Sequence, residues 1–314
     1  LRGAGMKSNK KNKMQVKSRA GRKEERTAYL CLIPAFLGVS LISYLPTLAV
    51  FVLSVFKWNG LSSPEFVGMD NFQRIFTKDI YFTDSIKATI LYALLAVVGA
   101  IIYSLLVALL LNMKIWGRTI FRSIFFIPYL LPAIGVYKGW QWLYEGNFGL
   151  FNFVLRMLGM KPQRFLDSPS QVVPSLVVIA IWTSGNLIVV FLAGLQNVPR
   201  VYMEAAEIDG ANAWKKIRYL TIPSLTPTAV IMVLMAIGNI FRGDFGLFYQ
   251  TVKTSSLLQP MTDVIDTYVF RLLIDSSDYG TSAAAGLFQS VLCFITIMAC
   301  NGIVKHIQPD YALY

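Results

Sequence analysis

Five stretches of this chain carry no charged side chain at all: residues 28–56, 88–113, 168–199, 219–241 and 279–304. An α-helix needs about 20 apolar residues to cross the hydrocarbon core of a bilayer, and each stretch is longer than that. In lipid every backbone N–H and C=O must find a partner within the protein, which restricts such segments to helices or closed barrels. Runs of this length fit helices. Composition agrees, because 15% of the residues are charged where a soluble domain has about 25%. The mean hydropathy is +0.54. A sixth segment, residues 123–137, has only 15 uncharged residues between Arg122 and Lys138 and contains Pro128 and Pro132. It reads as a span extending toward Tyr144 with Lys138 snorkelling to the interface; a re-entrant segment is the alternative. The expected fold is an all-α, polytopic transmembrane bundle of about six spans.

Lys and Arg in the loops give the orientation. With six spans and the N-terminus inside, the inner segments hold 18 Lys and Arg and six acids, and the outer segments hold 11 of each sign. The whole net charge of +12 then lies inside. With five spans the basic residues split 20 to 9, so charge places the N-terminus inside without deciding the third span. Residues 1–27 form a basic tail (Lys7, Lys10, Lys11, Lys13, Lys17, Arg19, Arg22, Lys23, Arg26). It suits electrostatic anchoring to the inner leaflet rather than nucleic-acid binding. The apolar run after it is too long for a cleaved signal peptide and lacks a small-residue cleavage site. Met6 is a candidate natural start. Cys31, Cys293 and Cys300 lie in apolar spans without a CxxC and read as small buried hydrophobes.

One polar segment stands out between two spans. Residues 199–223 begin at Pro199, which suits a helix start, and continue through good helix formers to Gly210, which can adopt positive φ and end the helix. A second short helix, NAWKKIRYL, can take Asn212 as its N-cap. Ala205 and Ala206 leave a low surface for close approach by another backbone. By itself this is an amphipathic hairpin, either solvated or docked. Its spacing is more specific: Glu204, Ala205, Ala206, three residues, Gly210, nine residues, then Leu220, Ile222 and Pro223. This resembles the EAA-type coupling segment of permease subunits in binding-protein-dependent ABC importers. The segment FVGMDNF, residues 66–72, resembles the first outer loop of sugar permeases of the maltose and glycerol-phosphate type. Within it, Asp70 or Asn71 can cap a surface helix carrying Phe72, Ile75 and Phe76. The C-terminal segment from residue 263 extends the resemblance to the oligosaccharide and polysaccharide branch, so that it covers nearly all of residues 28–314.

The resemblance implies a type I importer permease domain over residues 28–304, with a cytoplasmic tail at 305–314. It also implies a second homologous permease subunit, two cytoplasmic ATPases that bind ATP and Mg, and an extracellular sugar-binding protein. It places the coupling loop in the cytoplasm and so favours six spans. Met203, Glu204, Ala205, Ala206, Ile208, Asp209 and Gly210 become the ATPase-coupling residues. In this reading Glu204 positions the helix, Met203 and Ile208 anchor it by apolar contact, and Gly210 supplies the bend.

The chain's own chemistry fits a transport subunit that depends on others for energy. No G-x-x-x-x-G-K-[ST] loop is present to cradle phosphate, and His306 is the single histidine. No Ser/His/Asp set or metal-ligand cluster can be assembled, so no cofactor is expected in this chain. The five clear spans hold no ionisable carboxylate or amine, whereas ion-coupled carriers and intramembrane enzymes usually need such groups at depth. Sugars are bound by aromatic faces and by neutral hydrogen-bonding groups, which cost less to bury than charges. Trp182, Thr183, Ser184, Asn186, Asn239, Arg242, Asp244, Gln289 and Ser290 are the candidates for a path. Against this stands the alternative that they hydrogen-bond between helices and hold the bundle. Tyr129, Tyr137, Trp140, Trp142 and Tyr144 read as an outer aromatic belt. Residues 147–160 form an amphipathic stretch at the outer interface. A different cargo, such as glycerol phosphate or a monosaccharide, and a stand-alone channel or carrier remain as alternatives.

Overall fold

The computed structural model describes residues 19–113, 116–238, 240–252 and 255–311, with side chains from residue 26 onward except that of residue 200. Asn239 and the basic residues before position 19 lie outside the described residues. The chain divides into two compact units, residues 1–50 and 51–314. The first holds α1 (Arg19–Val39), a π turn (Ser40–Tyr44) and the start of α2 (Leu45–Leu53), which follow one another without a break. Within the turn the Leu45 N–H reaches the Ser40 carbonyl, five residues back. Pro46 follows directly, and a proline ring clashes with the carbonyl four residues before it. The wider turn sits where that clash would fall.

The second unit begins with β1 (Phe56–Lys57) paired antiparallel to β2 (Glu65–Phe66), then α3 (Asp70–Thr77) and α4 (Ile80–Asn112). It continues with α5 (Arg118–Leu130), α6 (Ala133–Leu143), α7 (Leu150–Met157), α8 (Val172–Trp182) and α9 (Gly185–Gln196). A hairpin of α10 (Arg200–Ile208) and α11 (Ala213–Lys216) leads through a second π turn (Ile217–Thr221) into α12 (Ile222–Ile237). The chain then forms α13 (Phe245–Thr251), α14 (Gln259–Thr262), α15 (Ile265–Ile274), α16 (Tyr279–Ile307) and a short 3-10 turn (Pro309–Tyr311).

Among the described residues, four helices are long and apolar enough to cross a membrane by themselves: Arg26–Leu53, Ile80–Asn112, Ala213–Ile237 and Tyr279–Ile307. Two bent pairs raise the number to six if each is one span. The pair α8 and α9 bends by 47° and the pair α5 and α6 by 101°. The second bend is sharp enough that the third segment is a broken element rather than a straight span. Pro132 explains it. The residue before a proline is pushed out of the helical region, and Leu131 has ψ 148°.

α4 is the central helix, packed against α8, α9, α14 and α15. Ala88, Ala93, Ala96, Ala100 and Ala108 are all buried along it, and small side chains let helix backbones approach closely in lipid. One core joins α4 to α6, α8 and α13 around Tyr92, Trp140, Leu176 and Phe248. A second joins α4, α9 and α12 around Ala108, Phe191 and Leu225.

Three expectations need correcting. The expected aromatic belt is mostly core: Tyr137, Trp140 and Tyr144 are buried, with Tyr144 against Phe151 and Phe165. Tyr129 and Trp142 alone of the five are exposed, because the 101° bend turns α6 back into the protein. Neither Asp70 nor Asn71 caps α3, whose N-cap is Met69. Asn71 is buried, and its side-chain N–H groups donate to the carbonyls of Ser54 (2.8 Å) and Phe56 (2.9 Å). It ties α3 to the segment that follows α2. Gly280, at the start of α16, lets Phe56 approach, since a Cβ there would stand 2.0 Å from the Phe56 carbonyl oxygen. Finally, NAWKKIRYL is not a separate short helix. It is the first part of a continuous 25-residue helix, Ala213–Ile237, because the π turn accommodates Pro223 without ending it.

Candidate functional site

The polar segment folds as the sequence requires. α10 stops in a Schellman arrangement: the Gly210 N–H donates to the Glu207 carbonyl (3.1 Å) and the Ala211 N–H to the Ala206 carbonyl (2.9 Å). That geometry needs a residue in the left-handed region after the helix, and Gly210 has φ +72°. The Asn212 side chain then accepts from the Lys215 N–H at 2.9 Å and opens α11. Lys216 closes the hairpin with an ion pair to Glu207 at 2.8 Å. That partner holds the Glu207 carboxyl below the usual carboxylate range, first by hydrogen bond and then by charge.

The face this hairpin leaves open is informative. Glu204 and Ala205 are exposed, Met203 and Ala206 are half-buried, and Asp209 is exposed beside Gly210. Glu204 is in no ion pair among the described residues. Ile208 is 88% exposed, so it anchors nothing within this chain. Val201, Tyr202 and Trp214 are exposed as well. An ordered element showing large apolar side chains around an uncommitted carboxylate has the composition of a docking surface.

The path candidates separate into two groups. Trp182, at the end of α8, meets Trp140 edge-on at 5.5 Å and keeps 36% exposure. Asn186 is exposed near the start of α9. Arg242 and Asp244 line a cavity of about 310 Å³ with Tyr92, Ala96, Ala180 and Met232. The Asp244 carboxylate receives the Tyr137 hydroxyl (3.2 and 3.3 Å) and the Leu247 N–H (3.0 Å). These four residues face open space.

Gln289 belongs to the other group. It is buried and its amide donates to the Phe241 carbonyl and to Asp266 Oδ1, both at 2.8 Å. Ser184 is buried against Ser104 (3.1 Å). The Thr183 hydroxyl returns to the Ile179 and Ala180 carbonyls, and that of Ser290 to the Gly286 carbonyl. These side chains bind helices to one another or to themselves.

Asp266 was not among the sequence candidates. Burial pushes its carboxyl up, opposed by the hydrogen bond from Gln289 and the charge of Arg242. The available signal was its place in an otherwise apolar helix, VIDTYVF. Among the described residues no group of three or more His, Cys, Asp or Glu could hold a metal ion.

Residues 100–309 match the family described as binding-protein-dependent transport system inner membrane component. The chain belongs to this family. It is a multi-pass component of the inner membrane. It is 31% identical to a probable ABC transporter permease, YesP of Bacillus subtilis, over 90% of this chain and 92% of that protein. It is 28% identical to the trehalose/maltose transport system permease MalF of Thermococcus litoralis, over 88% of this chain and 92% of that one. A solved bacterial alginate ABC transporter, in complex with an alginate pentasaccharide-bound periplasmic protein, includes a chain of the same fold. The TM-score is 0.83 at 23% identity, covering 91% of this chain and 96% of that one.

Proposed function

We propose that this chain is the permease subunit of an ATP-driven ABC importer for carbohydrate, probed from the cytoplasm by an ATPase at the α10–α11 hairpin. The observation that carries the reading is that hairpin: a rigidly capped polar element between two spans, exposing Ile208 and a Glu204 that is in no ion pair among the described residues. Its working partners are a second homologous permease, two cytoplasmic ATPases holding ATP and Mg, and an extracellular sugar-binding protein. The N- and C-terminal tails lie in the cytoplasm, in accord with the inner excess of Lys and Arg. An oligosaccharide cargo is supported by the sugar named for MalF and by the alginate transporter, both spanned by this chain over nearly their full length.

In mechanism, the ATPases close on ATP and push the hairpin. Glu204 sets the seating of α10, Ile208 and Met203 fill an apolar groove, and the Gly210 turn holds the two arms at a fixed angle. The thrust enters α12 through the second arm, because α11 and the span are one continuous helix, Ala213–Ile237. The cargo moves between this permease and its partner past Trp182, Asn186, Arg242 and Asp244. An aromatic face and neutral amides suit sugar C–H surfaces and hydroxyls. Docking through one short helix is a small interface that depends on few side chains.

The test is Glu204→Lys in the intact complex. Transport should fall to background while the complex assembles and ATP hydrolysis runs uncoupled. Normal transport by an assembled Glu204→Lys complex would overturn the role of the hairpin. Isolation of the chain as a stable homo-oligomer free of any ATPase would overturn the importer reading itself.

A further inference from the structure

Where α4 ends, α5 begins and α9 ends, a cavity of about 280 Å³ is lined by Arg122 and Gln196 and by an apolar wall that includes Leu111, Phe126, Ile188, Val189 and Leu192. Its two polar side chains are Arg122 and Gln196. Gln196 is the last residue of α9, and Gly185, which also lines the cavity, is the first. Eleven residues of helix at 1.5 Å each separate them by about 16 Å. Half of a hydrocarbon core about 30 Å thick is about 15 Å. The wall is therefore about as long as one leaflet is deep.

The charge of Arg122 is uncompensated. Arg122 Nε is buried and has no hydrogen-bond partner. Neither Arg122 nor Arg118, one turn earlier on α5, is in an ion pair among the described residues. In the sequence, segments 112–122 and 196–203 hold Lys114, Arg118, Arg122 and Arg200 and no acid. A guanidinium with a desolvated N–H and no anion calls for one, and planar guanidinium suits phosphate oxygens. Basic residues at the cytoplasmic ends of transmembrane helices bind anionic headgroups in this way.

We infer that this groove binds one anionic phospholipid, with its phosphate on Arg122 and one acyl chain along α9. A sugar does not fit the wall. A saccharide presents hydroxyls along its length, while two polar side chains, Arg122 and Gln196, line this cavity. The site is separate from the hairpin and from the cavity at Arg242.

The experiment uses the full complex in nanodiscs of phosphatidylcholine containing a minor share of phosphatidylglycerol, followed by detergent extraction and native mass spectrometry. Phosphatidylglycerol should stay bound at one per copy of this chain. Arg122→Gln should weaken retention by about tenfold, the scale of one charge-assisted contact, and Arg122→Lys should keep most of it. Ala193→Phe, which fills the groove at an exposed α9 position, should displace the lipid with the charge intact. Equal retention of phosphatidylcholine, or of phosphatidylglycerol by Arg122→Gln, would overturn the inference. Displacement by inorganic phosphate alone would reduce the site to a phosphate contact, and displacement by a uronate tetrasaccharide would assign it to the cargo path; either overturns it. None of these outcomes bears on the Glu204 test.

Discussion

Gln289 is one of two glutamines on α16 or its C-cap, and its amide points inward to the Phe241 carbonyl and Asp266. Gln289→Leu keeps the volume and removes both donors. It leaves a buried carbonyl and a half-buried carboxyl without them, a loss of about 2 kcal/mol. The expected result is a lower thermal midpoint for the solubilised complex, with assembly intact at low temperature. An unchanged midpoint would show that other groups replace the bridge. In sequence, Gln289 looked the same as Asn186: a neutral amide in an apolar span. Only the fold separates them, since Asn186 faces outward and Gln289 meets a residue 48 positions away. Gly210 and Asn212 were legible because their roles are local. A positive φ and a cap onto the third residue are set within four positions of chain.

The α10–α11 hairpin carries a pH prediction. The folded pKa of Glu207 is lowered by Lys216. Its pairing therefore stabilises the hairpin at pH above the ordinary carboxylate pKa, and the contribution is lost as pH falls through the lowered folded value. The pair is exposed, so the effect is small and screened by salt. Trp214 fluorescence should report loosening on acidification below the ordinary carboxylate range, and Lys216→Gln should remove that transition. A transition that survives in Lys216→Gln would assign it to another group. At this scale hydropathy gave the elements well and their shapes poorly. Each charge-free stretch is mostly helical among the described residues, yet the 101° bend at Pro132 had two readings from sequence, a span or a re-entrant segment. The geometry combines both: two helices that turn back at the proline. Periodicity cannot report such a bend, because each half keeps an ordinary helical pattern.

Across the whole molecule, the outer loops were the least legible part. From sequence, the surface helix after Asp70 and the amphipathic stretch 147–160 were read there. The structure adds α13, α14 and α15 and holds these connections by pairs distant in sequence. The Tyr268 hydroxyl reaches Asp79 at 2.8 Å across 189 positions, and Arg74 pairs with Asp278 at 2.8 Å across 204. Such pairs follow from how helices stack, which no local pattern encodes. The π turns are different, since each ends two residues before a proline, at Tyr44 before Pro46 and at Thr221 before Pro223. The second lies between the hairpin and α12, where the Ile222 N–H reaches back to the Ile217 carbonyl. A π turn is one residue more than its helix needs. In the language of materials it is a dislocation, able to glide as five-residue hydrogen bonds are exchanged for four-residue ones, one at a time. Each step turns the residue it passes by about 100° and leaves the helix on either side bonded. A drive shaft with a slip joint at its root can take a push without shearing. Deleting Leu220 would remove the extra residue and lock the joint. The expected result is an assembled complex that hydrolyses ATP and no longer moves cargo, and unimpaired transport by the deletion would show that the slip is never used.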